Sequence, residues 1–385
     1  MAQNKKPTSI IDITPESDSE KSPHIGMPPI DMSGPALSHF EFWPADLFYL
    51  PLKIWGLLLG FRYGGLTTFT AANPYIRAGG FVGERKSEIY EMFPKEISTY
   101  LANTTYIFHD GNAEKVFKNS LNILEKAKLT YPLVAKPDIG CKGAGVQKIK
   151  SENALKEYIK NFPAGEKIIF QELVNYEGEV GLFYIRKPGE EKGQIFSLTL
   201  KYFPYVVGDG TSTLKDLIMA DPRAGQLADK YLERHASKLD QIIKDGQQYR
   251  LAFAGSHTFG TIFKNGNAFI TTEMEELFDK VTLTLPEFYF GRFDIRFKDF
   301  KDLENGSGKN MKIIEVNGVG AEATHIWDSK TTLIEAYKTL FKQYKLAYEI
   351  GHLNKKRGFA PMPFKELWKL VKEHERLFKS YPITH

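Results

Sequence analysis

Two short runs, FGRFDIRF (290–297) and KIIEVNG (312–318), constrain the fold more than any other part of the chain. Each reads as a strand, and the polar, glycine-containing stretch between them predicts that the two strands are antiparallel neighbours. Side chains alternate between the faces of a strand, so polar side chains from both runs are expected on one shared face. That face is predicted to hold Arg292, Asp294 and Arg296 from the first run and Ile313, Glu315 and Asn317 from the second.

The side chains of Asp294, Glu315 and Asn317 have the chemistry of a metal site. Two carboxylates and an amide oxygen are ligands that Mg²⁺ or Mn²⁺ prefers. Arg292 beside them suits negative charge that develops on a phosphoryl or carboxyl group. The spacing alone fits a second interpretation equally well, in which the carboxylates only form salt bridges with Arg292 and Arg296.

A glycine-bearing loop follows the predicted strand YPLVAK (131–136), which ends in Lys136. The loop runs from Asp138 to Gly145 and leads into a second strand, GVQKIK, and then a helix. Backbone N–H groups exposed by glycines, next to a lysine, can hold nucleotide phosphates. Such loops are more often flexible hairpins with solvated lysines, so the loop alone is weak support.

The remaining pattern predicts a mostly antiparallel sheet and a helical C-terminal region. An Asn265-Gly266 hairpin is expected, and the closing helices are expected to be interrupted near Gly351 and again by Pro361 and Pro363. VVGDGTSTLKDLI predicts a tight turn before a hydroxyl-capped helix. Further strands are predicted at 66–74, 167–174, 180–186, 195–201, 249–255 and 260–270.

Composition limits the class of protein. Among 385 residues the net charge is only +4, which gives no reason to expect a nucleic-acid partner. The single cysteine, Cys141, excludes an internal disulfide and fits a reducing compartment, so a cytoplasmic location is expected. The first 35 residues are rich in Ser, Pro, Asp, Glu and Lys, which predicts a disordered tail and not a secretory signal.

The segment 40–61 is rich in aromatic and aliphatic residues but contains Pro51 and Lys53. Its apolar portion falls short of the roughly 18–20 residues needed to span a bilayer. Two interpretations are equally open: a helix buried against the body of the protein, or a helix that lies in a membrane interface or covers an apolar substrate site. The second would allow peripheral membrane or lipid-substrate contact.

Five segments, in order, resemble the ATP-grasp superfamily, in particular its D-alanine–D-alanine ligase and cyanophycin synthetase branches. They are LVAKPDIGCKGAGV, IIFQELVNYEGEVG, VVGDGTSTLKDLI, GRFDIRF and IIEVNGVGAEATHIWD, and the resemblance covers roughly residues 80–350. It implies an α+β fold in which two subdomains grip ATP. The implied division is a tail at 1–35, a reduced N-terminal unit at 36–85, a small subdomain at 86–174, a large subdomain at 175–350 and a helical extension at 351–385.

The resemblance also implies roles for particular residues. Asp294, Glu315 and Asn317 would hold the metal, and Arg292, Lys136 and the backbone at Gly320 would serve the chemical step. Glu172 to Val174 would bind adenine, and Glu179 would bind the ribose. Lys86 and Lys95 compete for one phosphate contact, with Lys86 favoured. The implied ATP-binding residues are Lys86, Lys136, Lys142, Gly143, Ala144, Gly145, Glu172, Leu173, Val174, Glu179 and Lys201.

The implied activity is ATP- and Mg-dependent ligation of a carboxylate to an amine through an acyl phosphate. The front of the chain departs from the ligase pattern, because it lacks counterparts of the residues that select the first substrate. The substrates therefore stay open among amino acids, peptides and lipid-linked amines, as does the oligomeric state. His257 and His325 are expected near the substrate, more often as structural histidines than as bases. The alternatives are a kinase-like phosphotransferase and a non-catalytic nucleotide-binding protein recruited to membranes.

Overall fold

The computed structural model describes residues 23–140, 143–252, 255 and 260–382, which group into two compact units. One unit contains Phe203–Thr261, and the other contains His24–Tyr202 and the chain from Ile262 onward. Helices and antiparallel sheets make up both, so the predicted α+β class is confirmed. The division into five segments drawn from the sequence stays a prediction.

The helices and strands have the following bounds. The described α-helices are α1 (Ala45–Phe48), α2 (Leu50–Arg62), α3 (Lys86–Glu91), α4 (Ala113–Lys126), α5 (Glu152–Asn161), α6 (Leu214–Ala220), α7 (Ala228–Arg234), α8 (Thr272–Thr282), α9 (Lys301–Glu304), α10 (Leu333–Lys356) and α11 (Phe364–Phe378). The described strands are β1 (Thr104–Phe108), β2 (Leu133–Pro137), β3 (Gln147–Ile149), β4 (Lys167–Glu172), β5 (Gly178–Ile185), β6 (Gln194–Tyr202), β7 (Tyr205–Val207), β8 (Gln248–Arg250), β9 (Ile262–Asn265), β10 (Phe290–Phe297) and β11 (Met311–Asn317).

The small sheet has the strand order β1-β4-β2-β3, with every neighbouring pair antiparallel. Its apolar face packs against α4 and α5 through residues such as Leu124, Leu155 and Ile159. Strand β1 is not among the strands predicted from the sequence. Its β-branched and aromatic residues, TTYIF, extend along β4 and give the sheet its edge strand.

The large sheet has the order β11-β10-β5-β6-β9 and is antiparallel throughout. One face buries Phe293, Ile295 and Val316 against α8, where Met274 and Phe278 have no exposed surface. Burying such side chains stabilises the fold by about 1.5–3 kcal/mol each. The opposite face is left for polar residues of β5, β6, β10 and β11.

A β-bulge at Ile314 corrects one part of the predicted alternation. Asp294 pairs with Glu315, but the next pair is Ile295 with Ile313. The extra residue reverses the side-chain parity of β11, so Ile313 joins the buried core instead of the face that carries Glu315 and Asn317.

The strand predicted at 66–74 is wrong, since Thr68–Ala71 form a 3-10 helix. Asn73, which has no exposed surface, fixes this segment to the start of β10. Its Nδ2 donates to the carbonyls of Gly79 and Phe290 at 2.9 and 2.7 Å, and its Oδ1 accepts from the backbone N–H groups of Tyr289 and Phe290. The Asn73 side-chain amide thus forms four hydrogen bonds, in place of the backbone hydrogen bonds that a strand would have formed.

Two other local predictions also fail. The Asn265-Gly266 hairpin is absent from the described residues, because a 3-10 turn and then α8 follow β9. Helix α10 also continues through Gly351, where the missing side chain lets the backbone of Thr68 approach. The break at Pro361 and Pro363 is confirmed, since α10 ends at Lys356 and α11 begins at Phe364.

The unit that contains Phe203–Thr261 has its own core, in which Leu214, Ile218 and Tyr231 have no exposed surface. The predicted hydroxyl cap is confirmed here: Thr213 caps α6 and forms a reciprocal capping box with Asp216. Strand β8 is Gln248–Arg250, so only Tyr249 and Arg250 of the strand predicted at 249–255 lie in it; residues 253 and 254 lie outside the described residues.

No helix among the described residues is both long enough and apolar enough to cross a membrane.

Candidate active site

The candidate site lies on the polar face of the large sheet, where β10 runs between β11 and β5. The predicted pairing of the two polar strands is confirmed: Asp294 lies opposite Glu315, and Arg292 lies opposite Asn317. The structure therefore brings the three proposed metal ligands to one place, two on β11 and one on β10.

Asp294 belongs to a network of buried charges. The Arg292 guanidinium donates from Nε to Oδ1 and from Nη2 to Oδ2 of Asp294, at 2.9 and 3.2 Å. Lys201 Nζ lies 3.0 Å from Asp294 Oδ1 and 3.0 Å from Glu179 Oε1, and Arg296 reaches Glu179 Oε2 at 3.1 Å. Burial favours the neutral acid, but Arg292 and Lys201 outweigh it and hold the pKa of Asp294 at about 2.

Glu315 and Asn317 have fewer protein partners than Asp294. Glu315 is partly exposed, and its Oε1 lies 3.4 Å from Lys86 Nζ. Asn317 Nδ2 is buried with no hydrogen-bond partner among the described residues. A buried amide nitrogen without a hydrogen-bond partner costs free energy, and a bound ligand that accepts its hydrogen bond would remove that cost.

The donor set as a whole fits a Mg²⁺ or Mn²⁺ ion, since it offers two carboxylates and an amide oxygen. The described residues contain no group of three or more His, Cys, Asp or Glu side chains that could hold a metal. The fit therefore depends on Asn317 as the third ligand.

Lys136, at the end of β2, is buried, and its hydrogen-bond partners are neutral. Its Nζ donates to Gln171 Oε1 at 3.0 Å, to the Ile314 carbonyl at 2.9 Å and to Tyr90 Oη at 3.2 Å. No carboxylate of the described residues forms an ion pair with it. Desolvation is the main cause that lowers the pKa of Lys136, to about 8, although Glu315 opposes the shift.

Lys86 is placed at the site by a carboxylate that the sequence analysis missed. Asp138, with no exposed surface, accepts from Ser87 N at 2.7 Å and from Arg85 Nη1 at 3.1 Å, which holds the start of α3. Lys86 Nζ then reaches the Gly140 carbonyl at 2.7 Å as well as Glu315. Lys95, the competing candidate, is exposed.

The glycine loop is described only in part. Cys141 and Lys142 lie outside the described residues, whereas Gly143, Ala144 and Gly145 form a turn in which both glycines have positive φ. Tyr158 Oη donates to the Gly145 carbonyl at 2.8 Å, which ties the end of the loop to α5.

The proposed adenine segment, Glu172 to Val174, connects β4 to β5, and Leu173 there is half-buried. Some of its polar groups already have protein partners: Glu172 N donates to the Asn103 carbonyl at 2.8 Å, and the Val174 carbonyl accepts from Arg296 at 3.2 Å. Glu179, proposed for the ribose, is buried with both oxygens in ion pairs, so it would have to exchange partners to meet a hydroxyl.

The Gly318–Gly320 turn packs against the loop at Gly79 and Gly80. Gly320 N donates to the Gly80 carbonyl at 2.7 Å, so this N–H is already used within the protein. A side chain at Gly80 would meet the Gly318 backbone at 2.6 Å, which explains why glycines meet here. The nearby Glu322 carbonyl accepts from Arg292 Nη1 at 3.2 Å.

Of the two histidines, His257 lies outside the described residues. His325 is buried, and its Nδ1 is 2.6 Å from Ser197 Oγ. Burial lowers the pKa of His325 to about 4, so its imidazole is neutral at neutral pH.

Sequence reasoning missed four residues around the site: Tyr90, Asp138, Gln171 and Glu322. Strand alternation in FQELV could have indicated Gln171. Lys136 pairs with Ile169, and Gln171 lies two residues after Ile169, on the same face of β4.

No family model and no curated protein matches this chain. Solved structures do match. A bifunctional glutathione synthetase from Pasteurella multocida is 14% identical over 67% of this chain and 36% of its own, with a TM-score of 0.33. A D-Ala:D-Ser ligase from Enterococcus faecalis is 16% identical over 71% of this chain and 61% of its own, with a TM-score of 0.37.

A D-alanine–D-alanine ligase from Bacillus anthracis, solved in complex with ATP, is 14% identical over 68% of this chain and 66% of its own, with a TM-score of 0.37. The matches include the kind of ligase that the sequence motifs resemble. At these TM-scores they state what the chain is similar to and support no residue role.

Proposed function

We propose that this protein is an ATP-dependent ligase that activates a carboxylate as an acyl phosphate and joins it to an amine. The observation that carries the proposal is Lys136, a buried ammonium whose hydrogen-bond partners are all neutral. A cation without a counter-ion in a buried site is stabilised by an anionic ligand. A nucleotide triphosphate is such a ligand, and the lysine stands beside the other groups that its chemistry needs.

The groups around Lys136 suit the phosphate end of ATP. Lys86 supplies a second cation, 3.4 Å from Glu315 Oε1, and the turn from Gly143 to Gly145 would supply backbone N–H groups. Asp294, Glu315 and Asn317 would hold Mg²⁺, which supplies positive charge to the phosphate oxygens when bound. Lys201 and Arg292 keep Asp294 ionised, which is the form a metal ligand requires.

The proposed reaction has two steps. A substrate carboxylate oxygen attacks the γ-phosphorus of ATP, and ADP leaves with the electrons of the broken bond. The amine nitrogen then attacks the acyl carbon, loses a proton and expels phosphate, which leaves an amide. Arg292 would stabilise the negative oxygens that develop in both steps. An amino acid or a small peptide is the default substrate class, and a cytoplasmic setting suits it.

Substrate-dependent ADP release from the purified full chain, with ATP and Mg²⁺ across pools of amino acids, peptides and amines, tests this function. Mass spectrometry should find a product one water lighter than the two substrates combined. A phosphorylated product without an amide bond would make the protein a kinase, and the absence of turnover in every pool would contradict a ligase.

The predicted site residues can be checked in the same assay. Arg292→Lys keeps a positive charge but cannot form both hydrogen bonds to Asp294, so kcat should fall roughly 100-fold. A change only in KM for ATP would place Arg292 in nucleotide binding instead of the chemical step.

A further inference from the structure

Helix α2 exposes apolar side chains on the side that faces away from the protein. Six large hydrophobic side chains on α1 and α2 are at least half exposed, and among them Phe61 is 82% exposed. They are Leu47, Leu50, Ile54, Leu57, Leu58 and Phe61, and apart from the adjacent Leu57 and Leu58 they are three or four residues apart along the helices. We call these six residues the outer stripe.

The inner side of α2 is already packed, so the outer stripe is not a core face that has failed to find its place. Leu52 and Leu59 are 1% exposed, and Trp55 Nε1 donates to the Phe341 carbonyl of α10 at 3.1 Å. Phe48 and Leu52 also belong to a buried cluster with Trp327 and Leu340. A helix that is anchored on one side and apolar on the other needs a second apolar environment.

Positive charge lies at the C-terminal end of α2. Arg62 is exposed in its last turn, and Lys355 Nζ donates to the Gly64 carbonyl at 2.9 Å, with exposed Lys356 next to it. At the other end, Lys53 is paired with Asp46 at 2.7 Å and adds no net charge. The outer stripe is therefore accompanied by cations at one end.

We infer that the outer stripe docks this protein on the surface of an anionic lipid bilayer. Helix α2 has 13 residues, so at about 1.5 Å per residue it is roughly 20 Å long, too short for the roughly 30 Å hydrocarbon core. It lies in the interface, with the stripe among the acyl chains and Arg62, Lys355 and Lys356 at the headgroups. A second copy of the chain would instead bring the same cations to the contact.

The charge and the stripe can be tested separately by sedimentation of the full chain with vesicles, without nucleotide. The vesicles are phosphatidylcholine alone, or phosphatidylcholine with one quarter phosphatidylglycerol. The wild-type protein should bind the anionic vesicles, and the double variant Leu57→Glu, Phe61→Glu should lower the partition coefficient roughly 100-fold. Leu283→Glu, a change of another half-exposed leucine outside α1 and α2, is the matched control and should bind like wild type.

The cations give the second arm. Arg62→Gln with Lys356→Gln should weaken binding to the anionic vesicles roughly tenfold and leave binding to neutral vesicles unchanged. Lys365→Gln with Lys369→Gln, two exposed lysines on α11, is the control for loss of charge elsewhere. All the variants change exposed side chains, so their melting temperatures should match wild type.

Three results would overturn the inference. The wild type could remain in the supernatant with both kinds of vesicle, or the stripe variant could bind as well as wild type. In the third, sedimentation equilibrium would find a dimer that Leu57→Glu, Phe61→Glu dissociates, without vesicle binding, which would assign the outer stripe to a second copy. Because no step requires ATP, failure of the ligase proposal leaves this test intact.

Discussion

Two lysines of the candidate site are almost equally buried, but their surroundings differ. Lys201, on the large sheet, is 3% exposed and lies 3.0 Å from carboxylate oxygens of both Glu179 and Asp294. Lys136, on the small sheet, is 6% exposed and donates only to neutral oxygens. The large sheet therefore pairs its lysine with two carboxylates, whereas the lysine of the small sheet has no ion-pair partner among the described residues, and we propose that a ligand supplies its counter-ion.

The largest effect on turnover and stability is expected from removing the charge of Asp294, which pairs with Arg292 and Lys201. Asp294→Asn removes the charge that Arg292 and Lys201 share, so turnover should fall roughly 1000-fold and the free energy of unfolding by about 3 kcal/mol. Single-turnover kinetics and urea unfolding measure the two effects.

Asp279→Asn is the matched control for Asp294→Asn, because Asp279 is also buried but accepts from Tyr184 Oη and Gly193 N on the other side of the sheet. It should change stability alone. Equal loss of turnover in both variants would mean that Asp294 acts only through the fold.

The two lysines should respond oppositely to the same substitution. Lys201→Met leaves Glu179 and Asp294 short of a cation, and the free energy of unfolding should fall by about 3 kcal/mol. Lys136→Met removes an uncompensated ammonium and should leave stability unchanged or raise it. Equal destabilisation by both changes would contradict the difference between the two regions.

The stability of the wild type should also depend on pH through Lys136. Its pKa is about 8 in the folded state and 10.5 without the fold, so the unfolded chain binds more protons between these values. Stability should therefore rise with pH from about 8 to 10.5, by up to about 3 kcal/mol relative to the Lys136→Met variant. If the difference in the free energy of unfolding between the two proteins stayed constant across this range, the pKa of Lys136 would not be lowered by folding.

The smallest effect separates the two candidates for the second phosphate lysine. Lys86→Ala should weaken ATP binding roughly tenfold, because Lys86 reaches Glu315 and Gly140, whereas Lys95→Ala should have no effect because Lys95 is exposed. Fluorescent ATP-analogue titration measures both. Weaker binding only in Lys95→Ala would reverse the assignment.

The sequence was sufficient to predict the polar strand pair and its direction, because period-two alternation is a local signal and the two strands follow each other in the chain through the polar stretch 298–310. It was insufficient for the bulge at Ile314. A bulge depends on how β11 meets its neighbour and leaves no mark in KIIEVNG itself. That bulge matters to the site, because the Ile314 carbonyl accepts from Lys136.

Partners far apart in the chain were the other gap. Asp138 holds the start of α3 across 51 residues, and Gln171 meets Lys136 across 35. Strand alternation could indicate the face on which Gln171 lies but not its pairing with Lys136, and no periodic signal indicates the contact of Asp138. Asn73 shows the same limit: the β-branched run before it predicted a strand, but tertiary hydrogen bonds to β10 favour a 3-10 turn. The strand propensity of this run is overridden by the four hydrogen bonds that the buried amide of Asn73 forms.

The most direct test of the central claim is calorimetric titration of wild type and Lys136→Met with ATP and with AMP, each in the presence of Mg²⁺. The two nucleotides share the adenosine but differ in their phosphates. If Lys136 binds the triphosphate, the variant should lose roughly 100-fold in affinity for ATP and little in affinity for AMP. An unchanged ratio of the two affinities would show that the buried ammonium does not bind the phosphates, and would contradict the account.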